Sequence, residues 1–115
     1  MFNFGKLDVW QMAVSFAGLV YRLTRGFPQD ERFGLTNQIR RAAVSIASNL
    51  AEGSARPPAD YARFIGYASG SVSEVVTQAM IARNEGHLAP ADYDQIYRDA
   101  DEINRMLTGL RKSLK

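Results

Sequence analysis

Apolar residues recur at three- and four-residue spacing along almost the whole chain, the signature of amphipathic helices rather than strands. The first stripe is Val9, Met12, Ala13, Phe16, Val20 and Leu23, with Trp10 and Leu19 on its flanks. Asp8 stands where an N-cap or a first-turn acid belongs. The spacing predicts a stop near Arg25, with Gly26 at C′ and Pro28 preventing continuation. Residues 26–34 read as a linker of tight turns, whose Phe27 and Phe33 are expected to pack down onto the helices.

A second stripe, Leu35, Ile39, Ala42, Ala43, Ile46 and Leu50, predicts a helix from Leu35 or Thr36 to about Glu52, ended by Gly53. Ala47 and Ala51 widen it with small side chains. A third carries Tyr61, Phe64, Ile65, Ala68, Val72, Val75, Ala79 and Ala82. It is entered through Pro58 and closed by Gly86 after Asn84 or Glu85. Gly66 and Gly70 lie inside it, each costing roughly 1 kcal/mol against Ala in an exposed helix. A close helix–helix approach is the expected compensation. The fourth stripe is Tyr93, Ile96, Tyr97, Ala100, Ile103, Leu107 and Leu110, with Met106 beside it and Pro90 in its first turn. Asp92 and Asp94 near its start, and Arg111, Lys112 and Lys115 near its end, match the helix dipole.

Four helices joined by short turns make antiparallel neighbours. The expected fold is therefore all-α, an antiparallel up-down-up-down four-helix bundle forming one domain over residues 1–115. No alternating apolar run with hairpin turns occurs, so no strand is expected.

Composition narrows the chemistry. The 14 Lys and Arg nearly balance the 12 Asp and Glu, for a net charge of +2. The isoelectric point near 9.2 still leaves room for a local basic patch. The absence of cysteine excludes disulfides, thiolate nucleophiles, zinc fingers and iron–sulfur sites. A single histidine excludes His-rich metal sites and two-histidine relays. The longest uncharged run near the N-terminus, Val9 to Tyr21, is about 13 residues and too short to span a bilayer. Met1 to Leu7 has no apolar signal core. A cytoplasmic protein without a membrane partner is expected.

Few residues qualify for catalysis. His87 lies in a Gly-His-Leu turn with no local nucleophile or orienting carboxylate. Glu52, Glu74 and Glu102 fall on different helices, but no Glu-x-x-His exists for a carboxylate-bridged metal pair. No glycine-rich phosphate loop occurs. No catalytic, cofactor-binding or metal-ligating residue is assigned.

The middle of the chain is more informative. Ser45, Asn49 and Glu52 share one face of the second helix, with Gln38 and Arg41 on its N-terminal extension. Gly70, Glu74, Thr77 and Gln78 form a similar polar stripe on the third. Two readings stand: a solvated face, or a helix–helix or subunit seam of Gln38, Ser45, Asn49, Glu52, Glu74 and Gln78 held by hydrogen bonds.

Basic residues cluster too. Arg40 and Arg41 are adjacent, Arg56 and Arg63 follow, and Arg105, Arg111, Lys112 and Lys115 are set against the acidic stretch Asp92 to Glu102. These are either solvated, dipole-matched helix faces or, at Arg40, Arg41, Arg56 and Arg63, phosphate contacts for RNA or DNA. Val44 and Val76 lie off the main stripes, and Trp10 and Tyr21 flank the first helix. Helices apolar on more than one face are buried on more than one face, so a homo-oligomer is expected.

The run Leu7-Asp8-Val9-Trp10-Gln11 resembles the opening of the 23S rRNA intervening-sequence protein family, the S23-type four-helix bundle proteins. The resemblance continues through Tyr21 to Thr24, Phe27-Pro28, Glu31 to Leu35, Gln38 to Ile46, Ser48 to Gly53, Arg56, and Gly70-Ser71 with Glu74. Leu50 stands where the pattern more often has Ile. The resemblance implies a small bacterial cytosolic bundle. Some members are encoded within intervening sequences of ribosomal RNA genes. Related accessory variability proteins of diversity-generating retroelements form pentameric barrels and bind nucleic acid and a reverse transcriptase. A homopentamer is thus implied, and no catalytic residue is. The functional expectation is a non-enzymatic oligomeric module contacting RNA or DNA, with a protein-partner adaptor as the alternative.

Overall fold

The structure is a computed structural model that describes residues 2–114. Four helices, α1 (Asp8–Thr24), α2 (Leu35–Ser54), α3 (Pro58–Asn84) and α4 (Pro90–Lys112), form an antiparallel up-down-up-down bundle. Among the described residues there is no strand. Each helix packs on its sequence neighbours and α1 closes the bundle against α4, with α2 and α3 making the most extensive contact. The molecule measures 43 × 22 × 22 Å. Its long axis is set by α3, since a helix of that length extends about 40 Å.

The apolar stripes face inward as their spacing requires. Phe16, Val20, Ile39, Ile46, Leu50, Ile65, Val75, Ile96, Ile103 and Leu107 are fully or almost fully buried. Alanines 13, 43, 68, 79, 82 and 100 fill the narrow places between them. Leu110 and Met106 pack at the margin.

Helix boundaries follow local chemistry. Asp8 is a first-turn acid of α1 and makes no side-chain cap. Ahead of it, Asn3–Lys6 forms a 3-10 turn that the apolar pattern does not announce. That turn is fastened by Gln11 Nε2 donating to the Gly5 carbonyl (2.8 Å) and by the Phe4 ring against Trp10. At the end of α1, Gly26 does not adopt the left-handed conformation expected of a C′ glycine, and Pro28 two residues on stops the helix. Gly86 does adopt it, with φ of 79°. There the His87 N–H donates to Ala82 O and the Gly86 N–H to Arg83 O, a Schellman closure of α3. Pro58 and Pro90 occupy first-turn positions. Lys115 lies outside the described residues.

Four sequence expectations need correction. Phe27 packs into the core, but Phe33 does not: it is 86% exposed, with the Arg32 guanidinium over its ring. The 3-10 turn Gln29–Glu31 and the turn after it rotate Phe33 outward. Gly53 is not the residue that ends α2, which runs to Ser54. Gly53 is instead buried inside the helix, and a Cβ there would stand 2.6 Å from the Phe64 Cβ. The close approach expected at Gly66 and Gly70 therefore occurs at Gly53, because a Cβ on Gly70 would meet nothing and one on Gly66 only the tip of Arg111. Tyr97, placed by spacing on the inner stripe of α4, is 52% exposed beside the buried Tyr93.

Candidate nucleic-acid interface and polar seam

Small side chains let α2 and α3 approach, and the polar residues between them must then find partners. Ser45 and Ser71 share a hydroxyl–hydroxyl hydrogen bond of 2.6 Å across the seam. The Ser45 oxygen is also 2.8 Å from the Ala42 carbonyl. A hydroxyl has one proton, so Ser45 donates to Ala42 and Ser71 donates to Ser45. Asn49 bonds within its own helix, its Nδ2 donating to the Ser45 carbonyl at 2.8 Å. Gln38, Arg41, Ser45, Glu74 and Gln78 line a shallow cavity of about 390 Å³ on the outer side of the seam. The Gln78 Oε1 is buried there without a partner. Glu52 stands apart, bound to Arg56 at 3.3 Å near the far end of α2.

The structure thus brings Gln38, Ser45, Glu74 and Gln78 together and leaves Asn49 and Glu52 outside the crossing. Ser71, which makes the one side-chain hydrogen bond between α2 and α3 among the described residues, was not singled out by sequence. The signal was present: Phe64, Ala68, Ser71 and Val75 keep the inner spacing of α3, and a serine on that stripe needs a partner.

The arginines fall into two groups. Arg40 is built into the fold: its Nε donates to Thr24 Oγ1 (2.8 Å) and its Nη2 to the Tyr21 carbonyl (3.4 Å). Its guanidinium lies 4.7 Å from the centre of the Tyr21 ring. Arg41, one residue on, is exposed, with no carboxylate in ion-pair reach among the described residues. Arg56 and Arg63 sit at the other end of α2, about 20 Å away along its axis. Both stack on Phe64, at 4.6 and 5.4 Å. Arg56 pairs with Glu52 (3.3 Å) and Arg63 with Asp60 (3.2 Å). Hydrogen bonding to the Tyr67 hydroxyl, and then to Asp60, pushes the Arg63 pKa above its ordinary value. Two further arginines that sequence reasoning passed over, Arg25 and Arg32, join Arg40 around a cavity where α1 hands over to α2.

His87 has an orienting acid after all, with Nε2 3.6 Å from Glu31 Oε2 and Phe27 against its ring. It meets no hydroxyl nucleophile among the described residues. No group of three or more His, Asp or Glu side chains capable of holding a metal ion occurs among them either. No described helix is long and apolar enough to cross a membrane.

Fold and surface together define a small helical-bundle protein with a polar seam and two arginine clusters. The profile of the 23S rRNA-intervening sequence protein family matches residues 5–109, and the chain belongs to that family. A crystal structure of a protein of unknown function from the S23 ribosomal protein family of Bacteroides thetaiotaomicron VPI-5482 has the same fold. Its TM-score is 0.80 at 22% identity, covering 90% of this chain and 98% of the other. No curated protein matches the chain.

Proposed function

We propose that the protein is a non-catalytic, self-associating bundle module that binds RNA or DNA. One observation carries the reading: at the α1–α2 end Arg25, Arg32 and Arg40 converge on one cavity, with Arg41 exposed one residue on and no acid in ion-pair reach of the four among the described residues. Arg56, Arg63 and Arg105 are each matched by a carboxylate. A net charge of +2 therefore coexists with a local concentration of guanidinium groups at that corner. Uncompensated guanidinium groups exchange counterions with a phosphate backbone, whereas paired ones must first surrender an existing contact. Of the four arginines singled out by sequence, Arg41 carries most of the contact and Arg40 frames it. The setting is the cytoplasm. The test is a salt-titrated binding assay with RNA and DNA, in which Arg41→Glu weakens binding more than Arg56→Glu. Binding that survives nuclease and high salt would favour a protein-partner adaptor instead.

Self-association has its own support. Tyr21 and Val44 are exposed apolar residues on the outer α1–α2 groove, with Arg41, Ser45 and Ser48 around them. A second copy covering this surface would bury the exposed apolar side chains. By similarity to the retroelement relatives, the assembly is a ring of five copies. A solution mass from light scattering tests it.

A further inference from the structure

Where α1 gives way to α2, a cavity of 300 Å³ is lined by Arg25, Arg32, Arg40 and Thr36. No carboxylate lies within ion-pair reach of the three guanidinium groups among the described residues. Arg40 is held rigid by its bonds to Thr24 and the Tyr21 carbonyl, so one wall is preorganised. Thr36 is in the first turn of α2, where backbone N–H groups and the helix dipole favour an anion. Glu31 occupies only the first of those groups, its Oε1 accepting from the Leu35 N–H at 3.3 Å. Its other oxygen faces His87.

The independent observation is Thr36 itself. Its side chain is more than nine-tenths buried and its Oγ1 has no hydrogen-bond partner. A buried, unpaired hydroxyl is costly unless something accepts from it. Threonine in a helix has two χ1 rotamers within reach, so the hydroxyl can be turned toward an occupant of the cavity.

We propose that this corner is a binding site for a phosphomonoester dianion. Arginine forks match the oxygens of a phosphate in pairs, as Arg25 and Arg32 are free to do. Arg40, whose Nε and Nη2 are engaged, adds its charge and its remaining N–H groups, and three guanidinium charges favour a doubly charged monoester over a singly charged diester. The Thr36 hydroxyl donates to a further phosphate oxygen. The dianion has two sources, a free phosphorylated small molecule or the 5′-phosphate end of a nucleic acid. Only the second rests on the nucleic-acid reading above.

The test uses the full chain. Orthophosphate raises the melting temperature, while chloride at equal ionic strength does not. Methyl phosphate binds more tightly than dimethyl phosphate by calorimetry. Arg32→Gln and Thr36→Val each weaken orthophosphate about tenfold or more, the loss expected for one hydrogen bond to a charged group. Arg105→Gln, whose guanidinium sits with Asp101 and Glu102, leaves it unchanged. If Arg32→Gln fails to fold by circular dichroism, Arg25→Gln is read in its place. An orthophosphate effect no larger than that of chloride, or full affinity in both Arg32→Gln and Thr36→Val, would overturn the site. Stronger binding of a 5′-phosphorylated than of a 5′-hydroxyl oligonucleotide, competed by orthophosphate, assigns the site to a nucleic-acid end. Equal binding of the two oligonucleotides, with orthophosphate still bound, assigns it to a small molecule. Oligonucleotide binding without any orthophosphate binding overturns the site and leaves the proposed function standing.

Discussion

Ser45 of α2 and Ser71 of α3 are joined by a 2.6 Å hydroxyl bond that is the side-chain hydrogen bond between those two helices among the described residues. Ser71 sits on a stripe otherwise filled by apolar or small residues and depends on Ser45 as its acceptor, whereas Ser45 also donates to the Ala42 carbonyl. Ser71→Ala is expected to cost about 1 kcal/mol in urea unfolding, the usual net value of such a bond. Ser45→Ala combined with Ser71→Ala should cost less than the sum of the single changes, because the second removes a group already stranded by the first. Strict additivity would mean that the two hydroxyls act independently.

Gly53→Ala places a methyl group 2.6 Å from the Phe64 Cβ and 3.2 Å from Tyr61 Cδ1. Neither is the far end of a flexible chain, so α2 and α3 must part. Overpacking of this kind costs about 1–3 kcal/mol. Gly66→Ala is expected to do the opposite, gaining up to about 1 kcal/mol of helix propensity, because its Cβ would meet only the tip of Arg111 at 3.8 Å. Chemical denaturation of the two variants separates the glycine that the fold requires from one that it only tolerates.

Adjacent arginines should behave differently. Arg40→Gln removes the bonds to Thr24 and the Tyr21 carbonyl together with the stacking on Tyr21, and is expected to lower stability by about 1–2 kcal/mol. Arg41→Gln removes a solvated side chain and should change stability by less than about 0.5 kcal/mol. Thermal melts of the two variants check this. Any nucleic-acid phenotype of Arg41→Gln can then be read without a folding correction.

The bundle was legible because its stripes are long and its breaks are marked by Pro and Gly. Four periods of apolar residues with Pro58, Gly86 and Pro90 between them fix helix number, order and direction. Side-chain destinations were less legible. Phe27 and Phe33 look alike in sequence, and only the 3-10 turn between the helices decides that one turns in and the other out. Gly53 reads as a helix stop, because glycine serves both to end helices and to let them touch, and the deciding neighbour, Phe64, belongs to the next helix. The arginine site was half visible. Arg40 and Arg41 stand out as a pair, whereas Arg25 and Arg32 join them only through the folding back of residues 26–34.

Self-association predicts a mass in solution several times the 12.8 kDa of one chain. Tyr21→Glu and Val44→Glu, which place charge on the exposed α1–α2 groove, should shift the mass toward that of one chain without loss of helicity. Multi-angle light scattering at tens of micromolar reads both. A single-chain mass for the unaltered protein contradicts this part of the reading.

The most direct test of the account is the salt dependence of RNA and DNA binding by the unaltered protein and by Arg41→Gln. Contact through uncompensated arginines predicts that the logarithm of affinity falls linearly with the logarithm of salt concentration. The slope should shrink by about one unit on Arg41→Gln. Absent binding at low ionic strength, or an affinity indifferent to salt, would contradict it.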